Sequence, residues 1–123
     1  SMQPKLYSIA IDYKTKTYQN LLHSQTAVLQ LLSKQQLGLV RKLGKQSGFK
    51  VDKEGFLRKK DFLTTWRNHE ILKDCSAALV LHKTNQLKIG GDHEMFYFKV
   101  QKFSSFSSDV MSYQDLIEKN IIL

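Results

Sequence analysis

The 123-residue chain is 41% hydrophobic and 24% charged, the size and composition of one ordinary folded domain. A single domain over residues 1–123 is expected. Ser1 and Met2 read as a cloning scar, so the chain is expected to be a piece of a longer protein. Cys75 is the one cysteine, which excludes an internal disulfide framework and a Cys-based zinc cluster, and fits the nucleus or cytoplasm. No apolar run reaches the roughly 18 residues of a membrane span and no charged-then-apolar leader opens the chain, so neither membrane nor secretion is expected.

In chain order, Tyr7, Ile9, Ile11 and Tyr13 share one parity, which predicts a strand over Leu6–Tyr13. Lys14 to Lys16 turns the chain, and Thr17 to Leu21 is expected to return as a second short strand. Ser24 then caps a helix in which Ala27, Val28, Leu31 and Leu32 recur at helical spacing. Ser33 with Gln36 three residues on is a capping-box signature, and Leu37, Val40 and Leu43 continue an apolar side until Gly44 and Gly48 stop it. Residues 24–46 therefore form one kinked helix or two. Asp52 to Gly55 reads as a turn, Phe56 and Leu57 as a brief strand, and Lys59 to Trp66 as a short helix burying Phe62, Leu63 and Trp66.

Asn68 is a cap candidate for a helix over 69–82, where Ile71, Leu72, Cys75, Ala78 and Leu79 make an amphipathic stripe. Gln86–Ile89 and Glu94–Val100 flank Gly90, Gly91, Asp92 and His93 as a β-hairpin. Phe103 to Ser108 is a serine-rich spacer, Ser112 opens a C-terminal helix, and the apolar Ile121, Ile122 and Leu123 are expected to dock on something.

This order, with Gly55, Phe56 and Leu57, then Asp61, Phe62 and Leu63, then the stripe from Ile71 to Leu79 and the glycine-tipped hairpin, resembles a winged-helix domain. The resemblance implies an α+β fold: a winged-helix-like helical core, a C-terminal β-hairpin wing and an extra N-terminal strand region. It also implies that helix 69–82 would read a groove and the hairpin touch phosphate. An alternative is a ubiquitin-like roll, whose sheet would mix residues 6–21 with 86–103.

Charge suggests the partner. From Arg41 to Lys73 ten basic residues face four acids, a net +6 of the chain's +8. Arg41, Lys42, Lys45, Lys50, Arg58, Lys59, Lys60 and Arg67 are the candidate nucleic-acid-binding residues, holding the DNA or RNA backbone with little base specificity. The outward set Glu70, Lys73, Asp74 and Ala77 is nearly neutral, which favours phosphate contact over base readout. The competing expectation is a protein-interaction module that binds through helix 69–82 or the apolar C-terminus.

No enzyme, cofactor or metal is expected. Gly38 to Gly44 departs from a phosphate-binding loop in spacing and lacks its hydroxyl after Lys45. Asp92, His93 and Glu94 read as a solvated hairpin tip, the other histidines are scattered, and Cys75 reads as an inert thiol within the apolar stripe.

Overall fold

The computed structural model describes residues 5–44 and 52–111. Among them the chain runs β1 (Leu6–Asp12), α1 (Lys16–Leu22), β2 (Thr26–Leu31), a 3-10 turn (Lys34–Gln36), α2 (Leu37–Gly44), α3 (Lys53–Lys59), β3 (Leu63–Trp66), β4 (His69–Leu72), β5 (Ala77–Lys88) and β6 (His93–Ser105). A four-stranded sheet has the order β1-β6-β5-β2, and β3 with β4 forms a separate two-stranded sheet. This is a sheet-dominated fold, and it corrects the expectation of a winged-helix-like helical core. The chain divides into two compact units, one holding the residues up to Leu29 with Leu79–Phe103, the other Gln30–Ala78 with the residues from Ser104 on.

In the first unit, β1 runs antiparallel to β6 with Leu6 opposite Lys99 and Asp12 opposite His93. The opening strand thus joins the later hairpin in one sheet. Alternation sets the buried face: Leu79 and Leu81 of β5 with Phe96 and Phe98 of β6 form the core. Ile9 and Ile11, Ala27 and Leu29, and Val100 pack against it at the same period of two. Leu21 and Tyr18, one turn apart on α1, close over these residues.

Residues 16–22 form a helix rather than a return strand because Thr15 caps it. Its hydroxyl accepts the Tyr18 N–H at 3.1 Å, and Lys83 reaches across from β5 to donate to the Leu21 carbonyl at 2.7 Å. The β5–β6 turn carries Gly90 at φ 86° and Gly91 at φ 69°, a left-handed pair that glycine adopts without cost.

Two expected helices are corrected. Residues 69–82 are strand, turn and strand: Asp74 at φ 66° ends any helical path, and Cys75 to Leu81 are buried without a break. Burial on both faces gives a continuous apolar run, which periodicity cannot distinguish from a buried helix face. Residues 26–31 are likewise strand, not helix. Short helix and strand also exchange places, since α3 occupies Lys53–Lys59, capped by Asp52 on Gly55 N–H at 2.9 Å, and β3 follows it.

The capping-box segment at Ser33 does open helical structure, leading through the 3-10 turn into α2. The helix expected from Ser112 and the apolar terminus at 121–123 lie outside the described residues.

Candidate functional site

Where the β1–α1 turn meets the β5–β6 hairpin tip, the Tyr13 N–H donates to the Asp92 carbonyl at 3.0 Å. Register then puts Asp12 opposite His93 and Ile11 opposite Glu94. His93 Nδ1 lies 2.6 Å from Asp92 Oδ1. That hydrogen bond, before any other influence, holds the Asp92 carboxyl below the usual aspartate range, with Lys14 assisting from the turn. A carboxylate so favoured is an acceptor, so Nδ1 carries the proton and Nε2 is the ring atom left for another partner. Asp12 is held by the turn, its Oδ1 accepting the Lys14 N–H at 2.7 Å while its carbonyl accepts the Thr15 hydroxyl at 2.9 Å. Donor atoms of Asp12, Asp92 and His93 lie within 4.8 Å of one another, a placing that these hydrogen bonds already account for.

The tip is solvated at Asp92 but not at Glu94, which is 1% exposed. Glu94 shares the parity of Phe96 and Phe98, so its carboxylate enters the core face, where Tyr18 Oη donates to Oε1 at 3.1 Å. Burial and then this hydrogen bond push the Tyr18 phenol above its ordinary pKa. Its ring meets Tyr13 at 5.0 Å and Phe96 at 5.9 Å, both edge-on. The result is a floor beneath a turn that carries Lys14 and Lys16, with the Thr17 hydroxyl next in the chain.

Several of the residues expected to bind nucleic acid are engaged with other side chains. Arg58 forks onto Glu70 at 2.8 and 2.9 Å and also pairs with Glu54. Lys42 lies over the Phe56 ring at 5.2 Å and Arg67 over Trp66 at 5.6 Å. Lys59 and Lys60 are exposed at the end of α3. Arg41 sits on α2, and Lys45 and Lys50 lie outside the described residues. Lys73, in the same segment, is bridged to Asp61 at 3.0 Å. The site at the hairpin tip escaped sequence reasoning because its members are some 80 positions apart in the chain; only the parity of Glu94 with Phe96 and Phe98 was there to be read.

Comparison with known proteins supplies the family. The model of the flavin reductase like domain matches residues 1–115. The fold matches an FMN-binding protein from Thermus thermophilus at TM-score 0.72 and 26% identity, covering 85% of this chain and 56% of that one. An NADH:FAD oxidoreductase from Streptomyces globisporus matches at TM-score 0.71 and 18% identity, covering 86% of this chain and 61% of that one. Flavoredoxin from Methanosarcina acetivorans matches at TM-score 0.71 and 15% identity, over 88% and 56%. The chain thus spans between half and two-thirds of the length of these proteins. No curated protein sequence matched.

These matches overturn the reading as a nucleic-acid-binding module of winged-helix type. They replace DNA or RNA backbone as the expected partner, and with it the expectation that the protein is not an enzyme. Among the described residues no helix is long and apolar enough to cross a membrane. The family model covers residues 1–115, and the chain belongs to the flavin reductase like domain family.

Proposed function

We propose that the chain binds a flavin at the β1–α1 turn and hairpin tip, and works in an oxidoreductase that reduces flavin with a reduced nicotinamide dinucleotide. The family match over residues 1–115 carries the reading, and the chemistry of the turn supports it. A flavin nucleotide brings a phosphate dianion, for which Lys14 and Lys16 offer charge and Thr17 a hydroxyl donor. The neighbouring acids fit as well, because Asp12 is tied to the Lys14 N–H and Asp92 to His93. A bound flavin would supply the two-electron chemistry, taking hydride from the nicotinamide and passing electrons on.

The chain's own residues bind and orient. Lys14 and Lys16 would neutralise phosphate, while Tyr18 on Glu94 keeps α1 fixed to β6 beneath it. Asp92 fixes the His93 ring so that Nε2 can hold or release a proton. A cytoplasmic location goes with this reading, since reduced nicotinamide is a soluble metabolite there.

Fluorescence titration with FMN and with riboflavin tests it. Replacing Lys14→Gln and Lys16→Gln together is expected to weaken FMN about a hundredfold or more, from charge-assisted hydrogen bonds worth about 1.5–3 kcal/mol each, and to leave riboflavin nearly unchanged. FMN affinity equal to wild type would sink the assignment of the turn. Flavin binding without any oxidation of reduced nicotinamide would leave a flavin-binding protein, the description given to the Thermus relative.

A further inference from the structure

Among the described residues, Lys83 and Glu94 are the only charged side chains that folding buries, at 9% and 1% exposure. A charge taken out of water is unfavourable unless a polar group meets it, so the place where each one ends is informative. Both end on α1. Glu94 accepts from Tyr18 Oη at 3.1 Å, and Lys83 Nζ donates to the Leu21 carbonyl at 2.7 Å. Phe96 adjoins both contacts, with Lys83 Nζ 5.9 Å from its ring centroid and the Tyr18 ring edge-on to it at 5.9 Å.

The Leu21 carbonyl belongs to the last turn of α1, where carbonyls lack a partner within the helix. No basic residue of α1 stands in that turn, so the donor comes from β5 instead. A helix of seven residues does not hold its shape alone in water, and its placement is set by tertiary contacts. One fastening to the sheet would let it swing about that point. Two fastenings, at Tyr18 and one turn on at Leu21, fix its direction. That placement passes to the preceding turn, because the Thr15 hydroxyl accepts the Tyr18 N–H at 3.1 Å and donates to the Asp12 carbonyl at 2.9 Å. Helix and turn are thus one hydrogen-bonded piece, and it carries Lys14 and Lys16.

We propose that Lys83 is a positioning residue for the flavin phosphate: from β5 it holds the last turn of α1, and through α1 and Thr15 it sets where Lys14 and Lys16 stand. The inference rests on the flavin reading of the turn. Lys83 is buried and acts on the phosphate only through the helix.

Fluorescence titration of Lys83→Met with FMN and with riboflavin tests it, since methionine fills the space without the donor. FMN is expected to bind about five- to tenfold more weakly, the worth of one hydrogen bond, while riboflavin, which has no phosphate, binds nearly as before. Lys83→Arg restores a cation and a donor and is expected to bring FMN affinity back toward wild type. A merely structural role would act through the loss of folded protein and weaken both flavins alike. Should Lys83→Met not fold, Lys83→Gln, whose shorter side chain does not span to Leu21, carries the same comparison. Equal loss for FMN and riboflavin overturns the proposal, and so does unchanged FMN affinity. The paired Lys14→Gln and Lys16→Gln variant separates the two levels. If that pair weakens FMN selectively and Lys83→Met does not, the assignment of Lys83 alone falls; if neither alters FMN affinity, the reading of the turn falls with it.

Discussion

At the scale of single residues, Asp92 and Glu94 show how two acids of the same parity acquire opposite environments, because Asp92 lies in the turn and Glu94 lies within β6, which begins at His93. The sequence alone reads Asp92, His93 and Glu94 as one solvated tip, and the Asp92 side chain is indeed 73% exposed. Glu94, two positions on, is sealed in the core face with Tyr18 as its donor. The Phe96 and Phe98 alternation was visible, and extending it back two residues would have placed Glu94 inside. What the sequence hid is the donor, because Tyr18 lies 76 positions away. Asp92 is where pH should be felt. Its folded pKa is lowered, first by the His93 hydrogen bond, so the folded state favours the carboxylate. That contribution is fully present above the ordinary aspartate range and is lost as pH falls through the depressed value. Carbon-detected NMR titration is expected to give Asp92 a midpoint below that of an unstructured aspartate, and His93→Ala should bring it back up. A midpoint indifferent to His93 would show that the pair is not formed in solution.

Elements were legible where alternation was one-sided and hidden where it was not. β1 and the β5–β6 hairpin were read from period-two patterns and a Gly90, Gly91 turn, since buried and exposed residues alternate over the first half of β6. The central run Cys75 to Leu81 has both faces buried, so its apolar residues fell by chance at helical spacing. The turn between β3 and β4 was hidden for a different reason. Trp66 pairs with His69 across a two-residue loop, Arg67 at φ 49° and Asn68 at φ 67°, with no glycine to announce it. Asparagine tolerates this conformation better than other residues with a side chain, and glycine tolerates it best. Asn68→Gly is therefore expected to hold or raise stability, by up to about 1 kcal/mol, whereas the β-branched Asn68→Val should lower it by about 1–2 kcal/mol. Denaturant midpoints of the two variants decide it: if Asn68→Val is as stable as Asn68→Gly, the left-handed turn is not present in solution.

For the whole molecule, the net charge of +8 was the strongest signal in the sequence, and it pointed to an anion without saying which. A polyanion needs several cations free on one face. Folding spends Arg58 on Glu54 and Glu70 and Lys73 on Asp61, and sets Lys42 and Arg67 over aromatic rings. The excess of basic residues still gives the molecule a general positive field. Such a field acts on the rate at which a small anion arrives more than on the contacts it makes afterwards. If the flavin nucleotide docks at Lys14 to Thr17, the association rate of FMN should fall as salt is raised, because the screening length shrinks from about 30 Å at 0.01 M to about 8 Å at 0.15 M. Riboflavin has the same ring system and no phosphate, so its association rate should stay nearly flat over that range. Stopped-flow quenching of the two flavins measures both. A parallel salt response for FMN and riboflavin would mean that the field does not reach the ligand, and that the excess of lysine and arginine serves solubility instead of capture.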